Sequence, residues 1–247
     1  MINISSEKER FFIAAQKFVE KLNSRHVKVR SIIVGGSILR SDFVPGFSDI
    51  DIYVFVGHKD IDSQFFIILR EVLSDVKKET GVDLRPDVFY VEDLQTLLNR
   101  RVSVNELVEK RLVIHGEDVF KDLKHGDLLR VAQRTIAFDE EVIRRMLYLS
   151  AFDANLLKRA IKICISVAKV CLFFKGIYLL NKEEIIRNFK EQFPEFSRHF
   201  NTLEKAYQLR MNFSSLRLDE TEIAEFVLKV YEFLRDARLY FHITEIL

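Results

Sequence analysis

Apolar positions along the chain follow two periods, and the change from one to the other divides it. Over 6–23, Phe11, Phe12, Ala15, Phe18, Val19 and Leu22 recur at three and four residues, the spacing of an amphipathic helix. Short apolar runs follow near 29–35 and 49–56. In the second run Ile50, Ile52, Val54 and Val56 point to one side of a strand, and Asp49, Asp51, Tyr53 and Phe55 to the other. The aliphatic set is expected to be buried and the aspartate set to line an open face. A helical pattern over 61–79 and a strand over 87–91 complete an α/β unit. In the second half only helical patterns remain, over 127–150, 154–179, 183–191, 196–211 and 219–246. Pro194 separates the third from the fourth, and short connections imply an antiparallel bundle. The fold class expected is α+β, with an N-terminal domain over 1–120 and an all-α bundle over 121–247.

Composition narrows the class. A chain of 247 residues that is 48% hydrophobic can bury a substantial core. With 38 basic against 37 acidic residues, the net charge of +1 exerts no bulk pull on a polyanion, so a nucleic-acid acceptor is disfavoured. The segment from Ser5 to Arg10 is charged and polar, so no signal peptide is expected. Lys169 and Lys175 interrupt the apolar stretch Ile163–Leu180, which is not a membrane span. A cytoplasmic location follows as the default. Cys164 and Cys171 fall about two turns apart on one helix, too far for a disulfide, and the scattered histidines lack zinc-ligand spacing.

The chemistry is concentrated near the start. Arg30–Val34 reads as a buried strand, and Gly35 and Gly36 at its end let the backbone turn and approach a ligand closely. A helix starting after Ser37 would offer free N–H groups and a hydroxyl to a triphosphate. Asp49 and Asp51, on one strand face, sit close enough to bridge a pair of ions. Mg²⁺ (or Mn²⁺) prefers one or two carboxylates plus phosphate oxygens.

Together these pieces form strand, Gly36-Ser37 turn, eleven residues from Ile38 to Ser48, then Asp49-Ile50-Asp51 in a strong β run. This arrangement resembles the DNA polymerase β-like nucleotidyltransferase superfamily, with Ser48 before the first aspartate as in many members. The resemblance implies a mixed sheet with flanking helices, ending in a short strand and turn at Arg111–Asp118. It also implies nucleotide-binding roles for Gly35, Gly36, Ser37 and Ser48, and Mg²⁺ or Mn²⁺ on Asp49, Asp51 and a third carboxylate. Pro86 favours Asp87 for that role, because proline is tolerated at the edge of a strand and not in its middle; Asp83 is the alternative. The implied activity is transfer of a nucleoside monophosphate from an NTP, ATP foremost, to an acceptor hydroxyl on a small molecule or protein, releasing pyrophosphate.

The bundle resembles the helical domains that accompany such enzymes, in an acceptor-binding or partner-binding role, and a homodimer is left open. It is also similar to HEPN-type bundles, with Leu209-Arg210-Met211-Asn212 at their Arg-Asn region. That similarity keeps a second reading open, a nucleotidyltransferase-like antitoxin or interaction module. No histidine follows Arg210 at ribonuclease-motif spacing, so RNA cleavage is not expected. Lys158, Lys162 and Lys169 read as one solvated helix side, a lysine of which would support the triphosphate in this superfamily. Asp139-Glu140-Glu141 reads as an acidic surface patch.

Overall fold

The computed structural model describes residues 4–243, with side chains from Glu7 to Ile243. The chain forms two compact units. The first takes everything up to Leu98 together with Ser103–Gly126, and the second takes Asn99–Val102 and everything from Asp127.

In the first unit, helix α1 (Ile4–Ser24) leads to β1 (Ser31–Gly35) and β2 (Asp51–Val56), then α2 (Ser63–Thr80) and β3 (Asp87–Tyr90). Two short helices, α3 (Leu94–Leu98) and α4 (Val102–Glu109), precede β4 (Leu112–Gly116). The strands form one mixed sheet in the order β3-β2-β1-β4, with β2 and β3 parallel and the other pairs antiparallel. Alternation sorts its side chains. Ile32, Val34, Ile52, Val54 and Val56 pack against Ala15, Phe18 and Leu22 of α1 and Leu69, Val72 and Val76 of α2.

The other face differs from the expected open surface. Ile33, Tyr53 and Phe55 are covered by Leu94 and Leu98 of α3, Val104 and Leu107 of α4, and Phe120. Tyr53 is 4% exposed and Phe55 fully buried. Only the N-terminal end of β2, where Asp51 stands, opens to solvent. The cover is missed in the sequence because α3 and α4 are too short to show a helical period.

The second unit is a bundle of α5 (Leu128–Leu149), α6 (Ala154–Phe173), α7 (Lys182–Gln192), α8 (Ser197–Met211) and α9 (Glu220–Tyr240). The starts of α5, α6, α7 and α9 are capped by side chains: Asp127, Asp153, Asn181 and Asp219 each accept backbone N–H groups, and Asp219 forms a full capping box with Glu222. Helix α6 is buried along most of its length, with α5, α7, α8 and α9 packed around it. Phe189, Phe193, Phe196 and Phe233 interlock edge to face beside it. The expected helix over 154–179 stops at Phe173, because Gly176 turns the chain at φ 70° and the apolar Ile177–Leu180 leaves the helix.

Two charge readings change. Lys169 is buried rather than solvated, its ammonium 5.0 Å from the Tyr178 ring centroid. The acidic triplet separates: Glu140 is buried and paired with Arg238 at 2.8 Å, while Glu141 pairs with Arg144 and Arg145. Asp139 is half-buried. Burial pushes its carboxyl up to about 7, against the opposing influence of Arg159. Arg210, too, is buried within the bundle.

Asp139 makes a testable contribution. In the unfolded chain this carboxyl ionises at ~3.9, so between that pH and about 7 the folded state holds a proton that the unfolded state has released. Its stabilising effect is complete below about pH 4 and is lost as pH rises through about 7. Asp139→Asn is therefore expected to match wild type near pH 4 and to be more stable at pH 8. The gain should be on the order of 2 kcal/mol, less than the full shift because the residue is only partly shielded. Thermal melts at the two pH values check this, and a variant melting below wild type at pH 8 contradicts it.

Candidate active site

The site is assembled where β1 ends and β2 begins. Their antiparallel register sets Gly35 opposite Asp51 and Val34 opposite Ile52. Past Gly35 the chain turns through Gly36, at φ 79° and ψ −166°, into a single 3₁₀ turn, Ser37–Leu39. This is shorter than the helix the sequence admitted. A Cβ built on Gly36 would stand 1.9 Å from Oδ2 of Asp51, so glycine is required both by the positive φ and by the closeness of the carboxylate. The turn and the Asp-x-Asp segment, separated in sequence, are thus in direct apposition.

Asp49 precedes β2 and is exposed, as are Asp51 and Asp87. Asp87 opens β3 directly after Pro86 and pairs with Tyr53 in the parallel ladder, so Asp87 shares a face with Tyr53 and, two residues back, with Asp51. The stacking of Phe89 on Tyr53 fixes that face assignment. The alternative, Asp83, lies in the loop before β3. Its carboxylate is held by Arg85 at 2.9 Å and Lys77 at 3.1 Å. Those hydrogen bonds, Arg85 first, hold it below the usual carboxylate range.

Tyr53 reports on the field beneath the site. Burial first, and then the negative charges of Asp51, Glu106 and Asp87, push its hydroxyl well above the ordinary tyrosine range, while a hydrogen bond with Ser103 opposes the shift. The phenol therefore stays neutral. It forms part of the floor of the site and feels the negative charges of Asp51, Glu106 and Asp87. Ser48, by contrast, is turned inward: it is buried, and its hydroxyl accepts the Val44 N–H at 2.9 Å, closing the loop before Asp49.

The carboxylates are hard oxygen donors open to solvent on one face, the donor chemistry that a magnesium ion carrying phosphate takes. Among the described residues, no three His, Cys, Asp or Glu side chains converge closely enough to enclose a metal ion by themselves. Partial coordination, completed by triphosphate oxygens and water, is the arrangement these residues fit. Beside the turn, Arg40 and Glu106 lie 66 positions apart and meet only in the fold, so nothing local in the sequence marks the pair.

A mixed sheet with a Gly-Ser turn set against an Asp-x-Asp strand defines a nucleotide-handling domain, and comparison with known proteins agrees. Residues 15–113 match the nucleotidyltransferase domain family. The N-terminal unit is a nucleotidyltransferase domain, and the chain is an enzyme of the class that transfers nucleoside monophosphates from nucleoside triphosphates. Among solved structures, the chain is similar to spectinomycin adenyltransferase AAD(9) from Enterococcus faecialis, solved with ATP and spectinomycin. The TM-score is 0.62 at 14% identity, over 91% of this chain and 99% of that one, a likeness of fold that takes in the helical bundle. No curated protein sequence matches the chain. No helix among the described residues is long and apolar enough to cross a membrane.

Proposed function

We propose that this enzyme transfers a nucleoside monophosphate, with ATP as donor, to a hydroxyl of a small, polyhydroxylated acceptor, and releases pyrophosphate. The observation that carries the reading is the contact of Gly36 with Asp51, which sets the Gly-Ser turn directly against an exposed carboxylate of the Asp-x-Asp segment. Asp49 and Asp51, with Asp87, would hold Mg²⁺ or Mn²⁺. Divalent ions bound there would neutralise charge on the phosphate oxygens and favour ionisation of the acceptor hydroxyl.

The remaining work falls to the chain. The backbone of Gly36 and Ser37, with the serine hydroxyl, orients the phosphates. The acceptor oxygen forms a bond to the α-phosphorus as the bond from that phosphorus to the β-phosphate oxygen breaks. Asp87 takes the acceptor proton, and its exposed position at the start of β3 leaves it reachable from solvent. A small acceptor is supported by the balanced charge of the chain and by the fold shared, bundle included, with an adenyltransferase that acts on spectinomycin.

Incubation with α-labelled ATP, Mg²⁺ and a panel of aminocyclitols and other polyhydroxylated compounds tests this. Label is expected to enter an acceptor in step with pyrophosphate release. Label entering RNA alone would contradict the acceptor class. Asp87→Ala should lower transfer by about a hundredfold, the scale of a lost acid–base group, whereas Asp83→Ala should stay within about twofold. The reverse ranking, measured on folded proteins, would move the role to Asp83.

A further inference from the structure

The Gly36–Ser37 turn contains too few residues to hold its own shape, so something outside it must. Two contacts reach it from helix α4, and a backbone hydrogen bond closes its exit. A Cβ built on Gly35 would stand 2.7 Å from the Leu107 methyl, so α4 packs directly on the backbone entering the turn. Ser103, one turn earlier, hydrogen-bonds with Tyr53 beneath Asp51 and Asp87. At the exit of the turn, the Arg40 N–H donates to the Ser37 carbonyl at 2.9 Å.

The Arg40 side chain then leaves the turn for the interior. Its Nη1 donates to Glu106 of α4 at 3.2 Å and its Nε to Asp42 at 3.1 Å, and the arginine side chain is only 9% exposed. Burial works against its charge, and Glu106 and Asp42 outweigh that to keep it firmly protonated. Lys8 of α1 donates to the Arg40 carbonyl at 3.2 Å from the other side.

We infer that Glu106, acting through Arg40, is a positioning residue that locks the phosphate-holding turn to α4. This inference rests on the nucleotidyl-transfer reading. The fork of Arg40 spans two carboxylates at fixed angles, a geometry that resists rotation of the turn about its glycines. A half-buried, charge-assisted pair of this kind is strong enough to select one turn conformation from those that glycine permits. Asp51 gains from the same lock, since the backbone of Gly36 is its immediate neighbour.

The test is titration calorimetry of the full chain with Mg·ATP and with Mg·tripolyphosphate, for wild type, Glu106→Gln, Arg40→Gln and the double variant, alongside thermal melts. Glu106→Gln should bind both ligands about tenfold more weakly, because the lock acts on phosphates and not on the base. Arg40→Gln should lose at least as much, and the double variant should lose no more than Arg40→Gln alone, as expected of one coupled unit. Arg40→Lys, which keeps the charge without the fork, should recover only part of the affinity. A residue that merely supports the fold would lower the melting temperature while the folded fraction bound both ligands as before. That result, or losses in the two single variants that add in the double, overturns the inference. If Glu106→Gln does not fold, the Arg40→Lys titration decides, and full wild-type affinity there overturns it. Absence of Mg·ATP binding in wild type would instead defeat the nucleotidyl-transfer reading itself.

Discussion

Asp49→Asn with Asp51→Asn is expected to reduce nucleotidyl transfer by at least about ten-thousandfold while the protein stays folded, the scale expected when charge stabilisation of a phosphoryl transition state is removed. Both carboxylates are exposed, so the amides cost little burial energy and leave the core of β2, from Ile52 to Val56, untouched. The check pairs a label-transfer assay with circular dichroism and a thermal melt. A folded double variant that transfers within tenfold of wild type would show that the chemistry lies elsewhere in the chain.

Gly36→Val should cost about a thousandfold in kcat/KM. A β-branched residue at φ 79° is strained, and its Cβ would fall 1.9 Å from Oδ2 of Asp51. Either the carboxylate swings away or the turn lifts. A displacement of about 1 Å can by itself cost around a hundredfold, and here both ligand-bearing segments move. Ser37→Ala makes a contrast within the same turn: the backbone N–H survives, and one neutral hydrogen bond contributes only about 0.5–1.5 kcal/mol. Steady-state kinetics on the two variants separate these cases. Gly36→Val with near-normal kcat/KM would remove the turn from the site.

What the sequence revealed and what it hid have physical causes. The Gly35-Gly36-Ser37 turn and the Asp49–Asp51 pair are legible because each is local, a backbone requirement in one case and a two-residue alternation in the other. Pro86 marks the start of β3 for a similar reason, and the structure begins that strand at Asp87. The floor of the site was hidden. Helices α3 and α4 span too few residues to display a period, so alternation alone places Tyr53 and Phe55 on an open face that Leu98, Val104 and Leu107 in fact cover.

Long-range pairing was hidden too. Nothing near Arg40 in the chain points to Glu106, and nothing near Asp139 shows that burial would hold its proton. In the bundle, Lys169 follows the spacing of Lys158 and Lys162 yet lies inside, where the Tyr178 ring faces its ammonium. Periodicity predicts the side of a helix but not which sides a bundle covers, and α6 has neighbours all round.

The most direct measurement of the central claim is calorimetric titration of the intact chain with ATP, with Mg²⁺ present and with the metal chelated, on wild type and on Asp49→Asn/Asp51→Asn. Saturable binding by wild type that requires Mg²⁺ and vanishes in the double variant is the predicted result. Equal affinity in the two proteins with Mg²⁺ present would contradict a metal–triphosphate site on these carboxylates.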